Sequence, residues 1–400
     1  MKLATIAHLL PDHNPFPPVY PAGTELRVEQ VARRQRRYRP VVICKAFDDQ
    51  VLTEQIDAMQ VRRIRIGRLY RRVFQKLTRL NPWPYAARMW RVVQQEQAVL
   101  LHIHNEPKLL AGLQRQLQVQ PMPVVVHVAN EKLIEKQALT LVTHWVACSH
   151  YIAGWLQHDN GIAADRISVI HTGVDTQGRQ ALWDIPAAQR QALRERYGIT
   201  DPHSLVLLFA GRLVQEKGVQ ELLDAFVLLR QQLGTQVQLL VAGNVRDSND
   251  PNNQKAVYGK AVTARMQQMA GVSWVGSLHP AQMHEFLLAG DLFVMPSLWP
   301  DPYPTVMLEA AAAGLPIVAA ARGGITEFLQ GCPGLGFVDD PADPQQLQAA
   351  MQAWLQAPDL RQQAGRWLRQ RIEQEFDWSR VCEDFEQLYD RLLARQNPGP

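Results

Sequence analysis

Short, mostly unbroken apolar runs recur along this chain, and stretches with helical spacing separate most of them. The first series comprises Leu3–Leu10, Val41–Cys44, Val99–Ile103, Val124–Val128, Leu141–Ala147 and Ile167–Ile170. The second comprises Ser204–Ala210, Val237–Ala242, Val272–Val275, Leu292–Met295, Leu315–Ala319 and Leu335–Val338. Strands that are apolar on both faces belong in parallel sheets covered on both sides, and helices between them make βαβ units. Two series in 400 residues predict an α/β protein of two Rossmann-like domains, 1–185 and 186–375, followed by a C-terminal helix over 376–400. Thr176–His203, rich in Gly, Pro and polar residues around one helix-like piece, reads as the linker. Open α/β sheets bind ligands beyond the carboxyl ends of their strands, so the expected site is a central cleft between the domains.

Several function classes fall away. The first strand leads into HNPFPPVYPAGTE, which lacks the GxGxxG of a standard NAD site. The four cysteines, Cys44, Cys148, Cys332 and Cys382, form no CxxC pair and read as reduced structural thiols of a cytoplasm. No apolar run reaches the ~20 residues that span a bilayer, and the N-terminal run is too short for a signal peptide. Charge is uneven. Residues 1–185 hold 24 basic and 15 acidic residues, whereas 186–400 hold 18 and 23. The basic half therefore suits an anionic partner.

Downstream of Phe209 the motifs become specific. FAGRLVQEKGVQELLDAF (Phe209–Phe226), VAGN (Val241–Asn244), AGDLFVMPSLWPDPYPTVMLEAAAAGLPIVAA (Ala289–Ala320) and RGGITEF (Arg322–Phe328) follow one another. In that order they resemble the GT4-type glycosyltransferases of the GT-B fold. The first half, through RLYRRVFQKLTRLNPWPYAARMW, LLHIHNEPKLL and VVVHVANE, looks most like bacterial lipopolysaccharide core transferases of the α-1,2-N-acetylglucosaminyl branch. The resemblance implies retaining transfer of a hexose from a UDP-sugar, GlcNAc first and glucose next, to a lipopolysaccharide core or other glycolipid. It also implies a protein at the cytoplasmic face of the inner membrane.

Gly211–Arg212 follows a strand and Lys217–Gly218 opens a helix, a turn that lets amides and two cations approach a diphosphate. The resemblance assigns Arg212 and Lys217 to that task, neutralising charge on departing UDP without a metal or other cofactor. No convincing DxD metal motif is present. Asp301 and Glu309, eight apart, match the family's two-carboxylate element. It implies that Glu309 binds ribose hydroxyls and Asp301 a hydroxyl of the transferred sugar. The usual first carboxylate is Glu; Asp is one methylene shorter, so either the loop sits closer or a water bridges. After Pro304, the amides around Thr305 and Val306 would reach sugar and phosphate from a helix start. Gly243 and Asn244 end a strand where they border the base or ribose or make a plain turn. Ser277 and Leu278 lie where the family holds the base.

In the acceptor domain, Gly23–Thr24 is the only match to the Gly-rich loop that the family sets close to the donor phosphates, the Gly supplying an unusual backbone conformation and Thr24 standing where a second Gly is usual. His127 ends a strand where relatives touch the transferred sugar. Asn130 and Glu131 follow in the same loop, and His104 and Asn105 line the cleft at another strand end. His102 and His104 alternate and face one side, a geometry for a metal pair that lacks a third ligand. Asp175, in HTGVD, reads as structural. Either front-face attack or a double displacement would give retention, and no residue stands out as the nucleophile of the latter.

Val61–Arg91 contains ten basic and no acidic residues. Within it apolar positions from Ile66 follow helical spacing, with Arg65, Arg68, Arg72 and Lys76 among the basic residues around them. This suits docking on an anionic leaflet or a phosphorylated glycolipid. Gln374–Arg395 reads as an amphipathic helix, and the resemblance implies that it crosses back to the N-terminal domain. A nucleic-acid-binding protein would leave the paired carboxylates unexplained, and no RNA- or DNA-binding motif is present. A phosphorylase, nucleotide-sugar hydrolase or epimerase on the same fold is the remaining alternative.

Overall fold

The structure is a computed structural model that describes residues 3–18, 23–47, 50–67, 84–245, 250, 252–334 and 337–396. It resolves into two compact units, 1–173 with 378–400, and 174–377.

The first unit is built on β1 (Thr5–Leu9), β2 (Arg39–Lys45), β3 (Thr53–Ile56), β4 (Met59–Ile64), β5 (Ala98–His104), β6 (Val124–Val128), β7 (His144–Ala147) and β8 (Ile167–Val169). Their order is β3-β4-β2-β1-β5-β6-β7-β8. The pairings are parallel except for the β3–β4 edge hairpin. That hairpin is absent from the sequence expectation, because its polar strands TEQI and MQVRRI lack the unbroken apolar run. Val61–Ile64 thus belongs to a strand and not to the basic helical stretch. Arg65 follows it, exposed, while Arg68, Arg72 and Lys76 lie outside the described residues.

The helix Trp378–Gln396 packs on one face of this sheet beside the helix Gly23–Arg34. Trp378, Val381, Phe385, Leu388, Tyr389 and Leu392 join Ile6, Val31, Leu100 and Val125 in one core. Two carboxylates fix its register. Glu386 accepts hydrogen bonds from the Arg36 and Arg37 amides at 2.8 Å each, and Asp390 accepts from the Tyr38 hydroxyl. The expected return of the C-terminal helix to the first unit is therefore present.

The second unit carries β9 (Leu205–Ala210), β10 (Val237–Ala242), β11 (Val272–Gly276), β12 (Leu292–Met295) and β13 (Ile317–Ala319). The sheet is parallel, in the order β11-β10-β9-β12-β13. The strand expected over Leu335–Val338 falls partly on Leu335 and Gly336, which lie outside the described residues, and Val338 makes an isolated bridge to Ala320. The unit boundary falls at Gly173/Val174 and not at 185, and the presumed linker is part of the second unit. Residues 174–185 are held there by the Leu182 amide, which donates to the Ala313 carbonyl at 3.0 Å, and by Trp183, whose ring lies under the Arg366 guanidinium at 4.9 Å. A clamp holds the helix that follows. Arg190 and Arg194, on the helix Ala187–Glu195, both pair with Asp291 at 2.8 and 2.7 Å. Asp291 in turn accepts from the Val206 amide, which ties the segment to the start of β9.

Candidate functional site

In the second unit the chain leaves β9, builds β10 and β11 on one side, then returns to β12 on the other. The β9/β12 boundary is thus a topological switch point, where loops diverge and leave room for a ligand. Both predicted clusters meet there. After β9, Gly211 and exposed Arg212 lead to a short turn, Gln215–Lys217, closed by Gly218 in a left-handed conformation (φ 68°). A Cβ at Gly218 would lie 1.9 Å from the Pro296 carbonyl oxygen, so only glycine lets this turn lie against the loop after β12. The Leu298 amide donates to the Glu216 carbonyl at 3.0 Å and seals the contact.

This docking brings Lys217 onto Asp301. The ammonium donates to Asp301 Oδ2, and the two side chains are only 17% and 8% exposed. The Asp301 loop is backed by RGG: the Gly324 amide donates to the Asp301 carbonyl at 2.9 Å, and Arg322 donates to the Leu298 carbonyl at 2.5 Å. The short first carboxylate therefore sits on a loop drawn down against Gly323, in contact with the cation of the preceding turn.

Pro304 precedes the helix Thr305–Ala312, and no side chain caps its start. The helix's first amides, at Thr305 and Val306, belong to the turn that has no intrahelical acceptors. Glu309 lies on the same helix. Burial pushes its carboxyl up to about 7, opposed by the charge of Arg179. Arg179 was not singled out in the sequence; it stands in the presumed linker, and no local pattern marks it. The other strand ends converge beside Gly211. Its amide donates to the Ala242 carbonyl at 3.0 Å, the Gly243 amide to the Gly276 carbonyl at 2.8 Å, and the Trp274 indole to the Gly243 carbonyl at 3.0 Å. Asn244 and Ser277 are exposed at this rim and Leu278 is half-buried. The second unit thus presents two cations, two carboxylates and a helix start on the carboxyl ends of β9–β13, a set suited to a phosphorylated, hydroxyl-rich ligand.

The first-unit residues are placed differently from the sequence reading. Gly23 starts the helix Gly23–Arg34 with open space around it and no left-handed φ, so nothing there requires glycine; Thr24 follows, half-buried. His127 is wholly buried, and both its ring nitrogens lie against Arg27, itself 4% exposed. His104 is 1% exposed, facing inward and lining no surface of this unit. Asn105, at φ 51°, joins strand ends: its amide donates to the His127 carbonyl at 2.8 Å, and its side chain accepts from Ala129 at 3.1 Å. Asn130 is half-buried beside it, and exposed Glu131 accepts from Tyr151. Asp175 accepts from the Gln177 amide within its own turn at 3.2 Å.

Two family models cover most of the chain: "Glycosyl transferases group 1" matches residues 190–371 and "Glycosyltransferase Family 4" matches 21–178. The lipopolysaccharide 1,2-N-acetylglucosaminetransferase of Salmonella typhimurium is 27% identical over 381 residues, 93% of this chain and 94% of its own. The alpha-maltose-1-phosphate synthase of Mycolicibacterium smegmatis is 30% identical over 238 residues, 58% of each. Among solved structures, a sucrose-phosphate synthase from Thermosynechococcus elongatus superposes with a TM-score of 0.76 at 18% identity, over 98% of this chain and 100% of its own. Anabaena HepE, solved with UDP-glucose, superposes with a TM-score of 0.74 at 19% identity, over 97% and 100%. These neighbours share the GT-B fold.

Proposed function

The chain belongs to the GT4-type glycosyltransferases of the GT-B fold, and from that premise we propose that it transfers GlcNAc, with retention, from UDP-GlcNAc to a lipopolysaccharide core oligosaccharide. Support for the sugar and acceptor comes from the Salmonella relative, matched along nearly its whole length. The Anabaena neighbour solved with UDP-glucose supports a UDP-sugar donor.

The observation that carries the site is the meeting of Lys217 with Asp301, 84 residues apart, at the switch point. Lys217 and Arg212 bind the diphosphate and neutralise the charge that grows on UDP as the C1–oxygen bond breaks. That electrostatic help does the work a divalent metal does in other transferases, so turnover needs no added metal. Asp301, released by Lys217 to the phosphates, accepts from a hydroxyl of the hexose. Glu309 accepts from the ribose diol, and the Thr305–Val306 amides reach the sugar phosphate. The acceptor oxygen forms the new bond to C1, and its proton goes to the phosphate of the departing UDP. The basic first half, Arg65 included, attracts the anionic membrane surface and the phosphorylated acceptor, and association is peripheral. No described helix is long and apolar enough to cross a membrane.

The test is UDP release from UDP-GlcNAc, UDP-glucose and UDP-galactose, with and without truncated lipopolysaccharide and with chelator present. Acceptor-dependent release from UDP-GlcNAc in chelator is expected. Release from UDP-glucose alone would reassign the donor. Release without acceptor would point to hydrolysis, and loss in chelator restored by magnesium would overturn metal independence.

A further inference from the structure

Four neighbouring histidines lie on one face of the first sheet, under the C-terminal helix, and His144 on β7 stands farther along the same face. Register makes this unavoidable: His8 on β1 pairs with His102 on β5, and His104, two residues on, pairs with His127 on β6. All four are 0–1% exposed. An apolar chain segment would pack there more cheaply, so buried imidazoles need partners. His127 has Arg27. The other three converge on one another: one nitrogen from each of His8, His102 and His104 lies within 4.8 Å of the others.

The hydrogen bonds around the three rings fix which nitrogens point inward. His8 Nε2 lies 3.1 Å from Gln35 Oε1, an acceptor, so His8 carries its proton there and Nδ1 is bare. His8 Nδ1 is 2.9 Å from His104 Nε2. His102 Nδ1 lies 2.6 Å from the Tyr389 hydroxyl, while its Nε2 is buried with no partner. Without an ion, the three rings share one N–H···N bond, and His102 Nε2 and His104 Nδ1 go unsatisfied.

We infer that His8 Nδ1, His102 Nε2 and His104 Nε2 form a metal site for a borderline transition ion, with zinc as the expected occupant. Three features support it. Metal-bound imidazoles donate their outer N–H to a fixed acceptor; Gln35 does this for His8 and the Tyr389 oxygen for His102. The 2.9 Å separation of His8 and His104 is already near the spacing of two nitrogens that share an ion at ~2.0–2.1 Å. His102 Nε2 is buried with no protein partner, and an ion between the three rings would satisfy it. An all-imidazole donor set suits zinc, copper, iron or nickel, and excludes magnesium and calcium, which take oxygen ligands. The three ligands lie in the first unit, whereas Arg212, Lys217, Asp301 and Glu309 lie in the second. It would tie β1, β5 and, through Tyr389, the C-terminal helix together. This inference does not rest on the proposed reaction.

The experiment is elemental analysis and thermal unfolding of the full chain, produced with zinc and then gel-filtered in metal-free buffer, with cobalt(II) as a spectroscopic probe. One zinc per chain is expected, with a higher Tm than protein stripped of metal and cobalt bands typical of nitrogen donors. Gln35→Ala and Tyr389→Phe leave the ligands in place and should weaken zinc binding about 10–100-fold. His144→Gln, remote in the sheet, should bind normally. His102→Gln should lose the cobalt bands while keeping its circular dichroism; if it fails to fold, the Gln35 and Tyr389 variants decide. Substoichiometric zinc in the wild type, or zinc bound equally by all variants, would overturn the site and leave a purely hydrogen-bonded histidine cluster.

Discussion

Lys217 and Asp301 form a part-buried ion pair between the turn after β9 and the loop after β12, and each holds the other's loop in place. Removing one partner of such a pair leaves an uncompensated charge, which costs about 1–3 kcal/mol at this partial burial, whereas removing both costs less. Chemical denaturation of Lys217→Met, Asp301→Ala and the double variant should show the double variant no less stable than either single one. Additive losses would mean that the contact is incidental. In the transfer reaction, Asp301→Ala should lower kcat about 100-fold or more while UDP affinity changes little, because the hexose and not the nucleotide loses its acceptor. Equal loss of UDP binding would reassign Asp301.

Gly323 decides how deep that loop sits. At φ 60°, a Cβ there would stand 2.3 Å from the Asp301 carbonyl oxygen and 2.8 Å from its nitrogen. Gly323→Ala should cost about 1–3 kcal/mol in stability. It should also lower kcat by pushing the Asp301 loop outward, with the effect read by steady-state kinetics on any accepted donor. If Gly323→Ala unfolds like the wild type and turns over normally, the close backing of the loop is not what positions the carboxylate.

The C-terminal helix hangs on Glu386. Its carboxylate accepts from two backbone amides and lies 3.3 Å from the Arg37 guanidinium, while only 6% of the residue is exposed. Glu386→Ala leaves both amides unsatisfied, which predicts a loss of about 2–4 kcal/mol by thermal or denaturant unfolding. Glu386→Gln, which still accepts, should recover part of it.

The second sheet and its motifs are readable because its strands are largely apolar runs and most candidate site residues sit just after a strand or at a helix start. The β3–β4 edge escaped because MQVRRI is a strand whose charged positions find partners: Arg63 donates to the Phe16 carbonyl at 2.9 Å and to Glu54 at 2.6 Å. The domain boundary differs because a stretch rich in Gly and Pro looks like a linker, while 174–185 is held in the second unit by long-range contacts, the Leu182 amide on the Ala313 carbonyl and Trp183 under Arg366. His102 and His104 were visible as a pair, but strand order alone brings His8 beside them; β1 and β5 are adjacent only because β5 crosses over to that position. Arg179, facing Glu309, had no local signature at all.

Glu309 makes the second unit pH-sensitive in a direction opposite to ordinary carboxylates. Its carboxyl sits at about 7 in the folded chain against 4.5 when solvated, so the folded state holds this proton more tightly than the unfolded one. Stability from this group is fully present below pH 4.5 and is lost as pH rises through 7, at up to about 1.4 kcal/mol per pH unit within that window. Nucleotide binding should run the other way. A ribose diol donates better to the carboxylate than to the acid, so UDP affinity should rise as pH passes from 6 to 8. Glu309→Gln removes the titrating group while keeping its shape. Denaturation curves at several pH values should then lose the contribution of this group between 4.5 and 7, and calorimetric UDP titrations should lose their rise above 6. If the variant and the wild type share both profiles, Glu309 is neither held as an acid by burial nor used as the ribose acceptor.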